Sequence, residues 1–435
     1  VAAATLAQRR LANPVLEHLR LLAAATIDGL WVEPGRRRNI AGEEFMVQLS
    51  QLVTNLPAYH FANAKKKIAQ RIAAGVDVIS LSMGDPDLPA PQSVLERLSE
   101  TLQDPLNHRY PEYRGMAALH EAFAAWFQRR FGVGLTPEVD MLPLLGSKEG
   151  LIYLGAALLD AGDLALTSEP YYPAYLTAAT NVGAHPWMVP LWEKNAYLPD
   201  LECIPADALR RARLLWLNYP NNPTAACADL AFFEQAVAFA QKHRLVIVHD
   251  MAYADIYFDE FRPPSILQVP GAKAVAVELH SLSKTYNMAG FRAGMLVGNA
   301  ELVDAVGRLK SNIDSGMFRP IQYAAIAALN LPASWIQERN AIYRRRRNLL
   351  VEGSLALGMR TVPPDAGLYV WAAVPQGFNS RGFCDWLFEQ TGVLITPGSN
   401  FGQAGEGYVR ISITESEERL RTALERMRKA LQERV

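Results

Sequence analysis

Three times between residues 213 and 284 the chain runs a short, largely apolar stretch straight into a cluster of polar residues. Arg213–Asn218, Leu245–His249 and Ala274–Leu279 read as strands, and the last two are apolar enough to be buried on both faces. Longer amphipathic segments alternate with such runs, the pattern of βαβ units, so the larger part of the molecule is expected to be α/β with a mostly parallel sheet. Asp229 is placed to cap the helix after the first strand, with Leu230, Phe233, Val237 and Ala240 on one face and an end near His243. Past Leu331 the pattern changes to a long charged helix through Tyr343 and Arg347, strands near Leu368 and Tyr408, and a closing helix from about Glu415, a smaller α+β part. The run Arg344 to Arg347 lies on that long helix and is expected to form a solvated face.

With 435 residues the chain exceeds one compact domain, so two lobes around a cleft are expected. The division read from the sequence is an N-terminal arm over residues 1–45, a large domain over 93–324, and a small domain built from 46–92 and 325–435. The arm holds one helical pattern, from Pro14 to Ile27, and then Arg36, Arg37 and Arg38; it starts with valine and is rich in alanine and arginine, but Glu17 and Asp28 break any transit-peptide pattern. Forty-three basic against forty-four acidic side chains leave no long-range field for nucleic acid or an anionic membrane. The charge-free runs 170–192 and 320–337 are interrupted by polar residues or proline, so no membrane span is expected. Cys203, Cys227 and Cys384 make no C-x-x-C pair, which points to a reducing cytoplasm and to no metal site. Nor is there a G-x-x-x-x-G-K-[ST], H-E-x-x-H or G-x-S-x-G motif.

In open α/β sheets, ligands bind beyond the carboxyl ends of the strands. The three strands end in Tyr219-Pro220-Asn221-Asn222-Pro223-Thr224, Asp250-Met251-Ala252-Tyr253 and Ser281-Leu282-Ser283-Lys284, which would bring a carboxylate, a phenol, an amide, hydroxyls and one lysine to a single crevice. A lysine there can form a Schiff base with an aldehyde cofactor and then move a proton. Asp250 supplies the anion that the pyridinium nitrogen of pyridoxal 5'-phosphate requires, and Asn222 and Tyr253 can donate to the ring oxygen. Ser281, Ser283 and Arg292 suit a phosphate. Gly146-Ser147-Lys148-Glu149-Gly150, a small-residue turn opening a helix, is either a further anion cradle or a plain capping turn. Tyr172 can stack on a planar ring or simply pack. Arg410, in the mostly apolar Tyr408–Ile413, needs an anion: an internal carboxylate or a substrate α-carboxylate.

Taken together, Y-P-N-N-P-T, H-D-M-A-Y, H-S-L-S-K-T-Y-N-M-A-G-F-R-A-G and Y-V-R-I-S-I resemble class I/II aminotransferases of pyridoxal-phosphate fold type I, from about Phe45 to the C-terminus. The resemblance implies a large domain with a seven-stranded sheet, Lys284 as the cofactor lysine, Asp250 as the pyridinium partner and Tyr172 as the stacking residue. It assigns Ser147, Lys148, Ser281, Ser283 and Arg292 to the phosphate, Arg410 and the backbone of Gly84 to the substrate carboxylate, and Tyr110 to the neighbouring subunit's phosphate in a homodimer. Within the family, Leu145–Gly150, Glu278–Lys284 and Lys310–Gly316 are most similar to the LL-diaminopimelate aminotransferase branch, where Lys148 and Asn312 are candidates for the distal end of the substrate, which would exchange its amino group with a 2-oxo acid such as 2-oxoglutarate. The family's N-P-T is usually followed by glycine; here Ala225 stands, which is expected to limit that turn to angles a β-carbon tolerates. Three other readings remain open at this point: an aspartate, alanine or aromatic donor, a lyase using the same cofactor, and a non-catalytic sensor domain.

Overall fold

The computed structural model describes residues 47–55 and 60–434. The expected arm and its helical pattern therefore lie outside the described residues. The chain divides at Leu56/Pro57 into two units, and the described part of the first carries one short helix, Gln51–Asn55. All that follows concerns the second unit.

Its strands are β1 (Ile79–Ser80), β2 (Met141–Leu144), β3 (Leu164–Glu169), β4 (His185–Pro190), β5 (Ala212–Asn218), β6 (Val246–Asp250), β7 (Ala276–Ser281), β8 (Gly294–Gly298), β9 (Tyr369–Ala373), β10 (Val393–Leu394), β11 (Thr396–Pro397) and β12 (Tyr408–Ser412). Seven of them form one sheet in the order β2-β8-β7-β6-β5-β3-β4, parallel throughout except for β8, which runs against both neighbours. The interior strands β7 and β8 are buried at every position, whereas the edge strand β4 alternates between exposed and covered residues. Helices cover both faces. Ala117–Phe131, Leu230–His243 and Arg319–Leu329 pack on one side around Phe123, Phe233 and Leu215, while Ser147–Leu158, Ala174–Thr180 and Ala300–Ile313 pack on the other around Leu154, Trp216 and Val303.

A second core gathers around the three-stranded antiparallel sheet β11-β12-β9, covered by the helices Ala333–Ala356, Ser380–Thr391 and Glu417–Glu433. The two cores interlock across the sequence boundary drawn at 325. Ala325, Ala328, Leu329 and Ile336 pack with the large sheet, and Tyr253, Ile256 and Phe258 pack with the small one.

Local expectations meet two physical corrections. Arg344 to Arg347 is not uniformly solvated: Arg346 is buried and bonds both oxygens of Asp87 at 2.7 and 2.9 Å, and Arg347 reaches Asp259 at 2.8 Å. Four consecutive helical residues sweep a full turn, so half of such a run must face inward wherever the helix is packed on both sides. Ala225 does not keep to ordinary angles either. Its φ is +59°, the left-handed region, held there by Ala225 N donating to Asn221 O and Asn221 N to Ala226 O. Hydrogen bonds within the turn impose on alanine the conformation that glycine adopts freely.

Candidate active site

Because β5, β6 and β7 are neighbours in the sheet, their carboxyl ends lie side by side, with Asn218 in register with Asp250 and Asp250 with Leu279. Asn218 ties the first two together: its Nδ2 donates to Asp250 O at 2.7 Å and its Oδ1 accepts from Asn222 N at 2.7 Å. The turn beyond β5 is further braced by Thr224, whose N–H and hydroxyl both donate to Asn221 Oδ1. These loops border a cavity of about 540 Å³.

The cavity brings together Gly84, Ser147, Lys148, Tyr172, Asn222, Asp250, Tyr253, Ser281, Ser283, Lys284, Arg292 and Arg410, twelve of the residues singled out in the sequence. Tyr110 and Asn312 do not line it. Tyr110 is 84 % exposed, beside a separate depression that includes Gly316 and Phe318. Asn312 is exposed on the helix Ala300–Ile313 and turns its amide back onto Arg308 O at 2.8 Å. The expectation that Asn312 reaches the distal end of a substrate therefore has no contact with this cavity behind it.

Lys284 sits on the short helix Leu282–Thr285 directly after β7, and its Nζ donates to Gly84 O at 2.6 Å. Burial, joined by the positive charges of Arg292 and Arg410 and opposed by Asp85, lowers the pKa of its ammonium to about 8. Asp250 accepts from Tyr175 Oη at 2.9 Å through Oδ2, while Oδ1 is buried with no partner. Burial raises the pKa of its carboxyl, against the lowering effect of the Tyr175 hydrogen bond. Tyr175 is itself fixed by stacking on Trp216, ring centroids 5.3 Å apart.

Opposite them, Arg410 in β12 is 2 % exposed. Its guanidinium donates to Asn222 Oδ1 at 2.8 Å and Ser82 O at 2.6 Å, lies 4.2 Å from the Tyr369 ring centre, and leaves Nε without a partner. No carboxylate pairs with it among the described residues, which removes the internal-anion reading of this arginine. Asn222, by accepting from Arg410, keeps its Nδ2 as the donor. Tyr253 Oη meets Tyr369 Oη at 2.8 Å, and Tyr369 passes so close to Gly84 that a β-carbon there would lie 2.0 Å from its hydroxyl. Glycine at 84 thus permits the close approach of the Tyr369 side chain.

At the other end, Gly146 (φ +86°) precedes the helix Ser147–Leu158, whose first turn receives no side-chain cap. Arg292 closes over that turn, donating to Leu145 O at 3.3 Å; a β-carbon on Gly146 would lie 2.3 Å from its guanidinium. Burial, and then the charge of Arg292, lowers the pKa of the Lys148 ammonium. Residues that sequence reasoning missed are Tyr175, Asn218, Tyr369 and Asp85. No motif marks the first three, because each acts through a contact between distant segments.

A family model described as aminotransferase class I and II matches residues 76–427. The chain belongs to the class I and II aminotransferases. As an aminotransferase it moves amino groups between amino acids and 2-oxo acids with pyridoxal 5'-phosphate, so the non-catalytic reading falls. It is 48 % identical over 381 residues to the LL-diaminopimelate aminotransferase of Dehalococcoides mccartyi, covering 88 % of this chain and 98 % of that one. Identity to the enzyme of that name from Moorella thermoacetica is 46 % over 385 residues, covering 88 % and 99 %. Among solved structures it is similar to substrate-bound BacF from Bacillus subtilis, with a TM-score of 0.85 at 38 % identity, covering 88 % of this chain and 98 % of that one. The aminotransferase cavity fits the cofactor on its own geometry. Asp250 Oδ1 and Ser283 Oγ are buried polar atoms without partners, one suited to a protonated ring nitrogen and the other to a phosphate oxygen, and the uncapped helix start beside Arg292 suits the same phosphate.

Proposed function

We propose that this aminotransferase takes LL-diaminopimelate as amino donor and 2-oxoglutarate as acceptor, working as a cytoplasmic homodimer. The substrate reading is supported by relatives bearing that name at 44–48 % identity over nearly their whole length. One observation carries the binding of an amino acid as such: Arg410 is buried without a carboxylate partner and retains an unpaired Nε toward which a substrate α-carboxylate can bring its charge. The homodimer reading is supported by the 84 % exposure of Tyr110, a large aromatic left open to solvent on this chain.

The bound cofactor would supply an electron sink conjugated to the substrate α-carbon. Arg410 holds the α-carboxylate and so orients the α-hydrogen, while Asn222, fixed by Arg410 and by Asn218, presents its amide to the ring oxygen. Asp250, its carboxylate held in place by Tyr175, would be the partner of a protonated ring nitrogen. Lys284 would be the base that takes the substrate α-proton on its Nζ. A pKa near 8 makes that amine a competent base near neutral pH, which an exposed lysine is not.

The test is a single-turnover titration of the cofactor-loaded protein with LL-diaminopimelate, aspartate, glutamate, alanine and an aromatic amino acid, followed by its absorbance. LL-diaminopimelate is expected to react fastest; a faster reaction with another donor would replace the substrate and leave the enzyme class intact. Lys284→Ala is expected to end steady-state transamination, and retained turnover in that variant would remove Lys284 from the mechanism.

A further inference from the structure

Two stretches that mark the diaminopimelate-like branch in sequence, Leu145–Gly150 and Lys310–Gly316, meet in space, and they meet through one buried cation. Lys310 is 1 % exposed. Its ammonium contacts Glu149 Oε1 at 2.9 Å and Asp314 Oδ1 and Oδ2 at 3.0 and 2.9 Å. The remaining oxygen of Glu149 accepts the backbone N–H of Leu145, just before Gly146, and Asp314 also accepts from Gly316 N at 2.7 Å and Tyr153 Oη at 3.1 Å. Every carboxylate oxygen in the cluster has a donor, and burial of this lysine is tolerable only because of that complete satisfaction.

Each carboxylate therefore grips a different loop. Glu149 fixes the turn over which Arg292 closes and from which Ser147 and Lys148 enter the cavity. Asp314 fixes Gly316, whose φ of +88° brings it so near the chain after Tyr110 that a β-carbon there would lie 2.8 Å from Glu112 O. Burial works to raise the carboxyl of Asp314, yet the hydrogen bonds from Lys310 and Gly316 hold its pKa below the usual value.

We propose that Lys310, with Glu149 and Asp314, is a positioning device for the cofactor phosphate, joining the cradle turn at 145–147 to the loop 314–316 that backs Tyr110. Lys310 touches neither substrate nor cofactor; it ties the turn that holds this chain's phosphate to the loop behind Tyr110, the residue assigned to the neighbouring subunit's phosphate. On this account the K-S-N-I-D-S-G stretch serves the phosphate end through Lys310 and Asp314, in place of the distal substrate contact expected of Asn312. The inference rests on the cofactor reading above, and the experiment separates the two.

Dissociation constants of pyridoxal 5'-phosphate and of pyridoxal, which lacks the phosphate, would be measured by absorbance for the wild-type protein, Glu149→Gln and Lys310→Met, together with the melting temperature of each apoprotein. Glu149→Gln keeps size and removes charge, so it decides the matter if Lys310→Met does not fold. Weakening of pyridoxal 5'-phosphate binding by about tenfold or more, about 1.4 kcal/mol, with pyridoxal binding changed less than about twofold, is the expected result. Equal weakening of both ligands, or a lowered melting temperature with unchanged binding, would reduce the cluster to a structural ion pair and overturn the proposal. Failure of the wild-type protein itself to bind pyridoxal 5'-phosphate would instead overturn the cofactor reading.

Discussion

A lysine whose ammonium is destabilised by burial titrates closer to neutrality than an exposed one, and this gives the site a pH dependence with a definite sign. Lys284 must be neutral to attack an aldehyde, and its pKa of about 8 lies below the ordinary value of 10.5. The neutral fraction therefore rises as pH increases through 8 and levels off above it. Stopped-flow mixing of apoprotein with pyridoxal 5'-phosphate should show a second-order rate that climbs about fivefold from pH 7 to pH 8, less than twofold more by pH 9, and then flattens. A rate still rising in proportion to hydroxide at pH 10 would mean an unperturbed lysine. The sign follows from desolvation, since the nearby carboxylate of Asp85 acts in the opposite direction and is outweighed. At this scale the sequence was informative about identity and silent about state: it singled out Lys284, whereas the burial that tunes it comes from segments 200 residues away, at Gly84.

The long helix Ala333–Ala356 illustrates what an element-level reading can and cannot carry. That a long helix runs through Tyr343 and Arg347 was legible in the sequence, but the four consecutive arginines within it divide by the direction each one faces. Arg344 is half exposed and stands 3.7 Å from Asp259, a surface pair of little worth. Arg346 is buried against Asp87 and also reaches Ile413 O, joining this helix to the segment that enters the active site at Gly84 and to the strand region that carries Arg410. Arg346→Ala should therefore destabilise the protein by about 3 kcal/mol, since it strips a partly buried carboxylate of its partner, whereas Arg344→Ala should change stability by less than about 0.5 kcal/mol. Urea denaturation of the two variants side by side checks the contrast, and equal effects would refute the division. The turn after β5 makes the same point on a smaller length. Composition marked it as a turn, yet only its pairing of Asn221 with Ala226 forces Ala225 into the left-handed region.

For the whole molecule, the proposed sharing of Tyr110 between subunits has a consequence that one chain alone cannot show. Chains carrying Lys284→Ala and chains carrying Tyr110→Ala would each be impaired separately. Mixed and reassembled, half of the dimers combine one of each, and each such dimer has one site with both residues intact. Activity should recover to about a quarter of wild type, the fraction expected for two-fold symmetric partners mixing at random. Absence of recovery, with reassembly demonstrated by light scattering, would place Tyr110 outside the neighbouring site.

The sequence by itself determined the chemistry and the sheet. Apolar runs buried on both faces can only be interior strands, and polar residues at their carboxyl ends can only meet in one crevice once the strands lie parallel, so Asn222, Asp250 and Lys284 were legible from pattern alone. The tertiary structure decided everything that depends on contact between distant segments. That includes Tyr175 against Asp250, Tyr369 over Gly84, the guanidinium of Arg410 held by Asn222 and Ser82, and Lys310 between two loops. Periodicity records which face of an element is buried, but a hydrogen bond or ion pair between residues far apart in sequence leaves no period in the chain, and its partner is known only when the fold brings the two ends together.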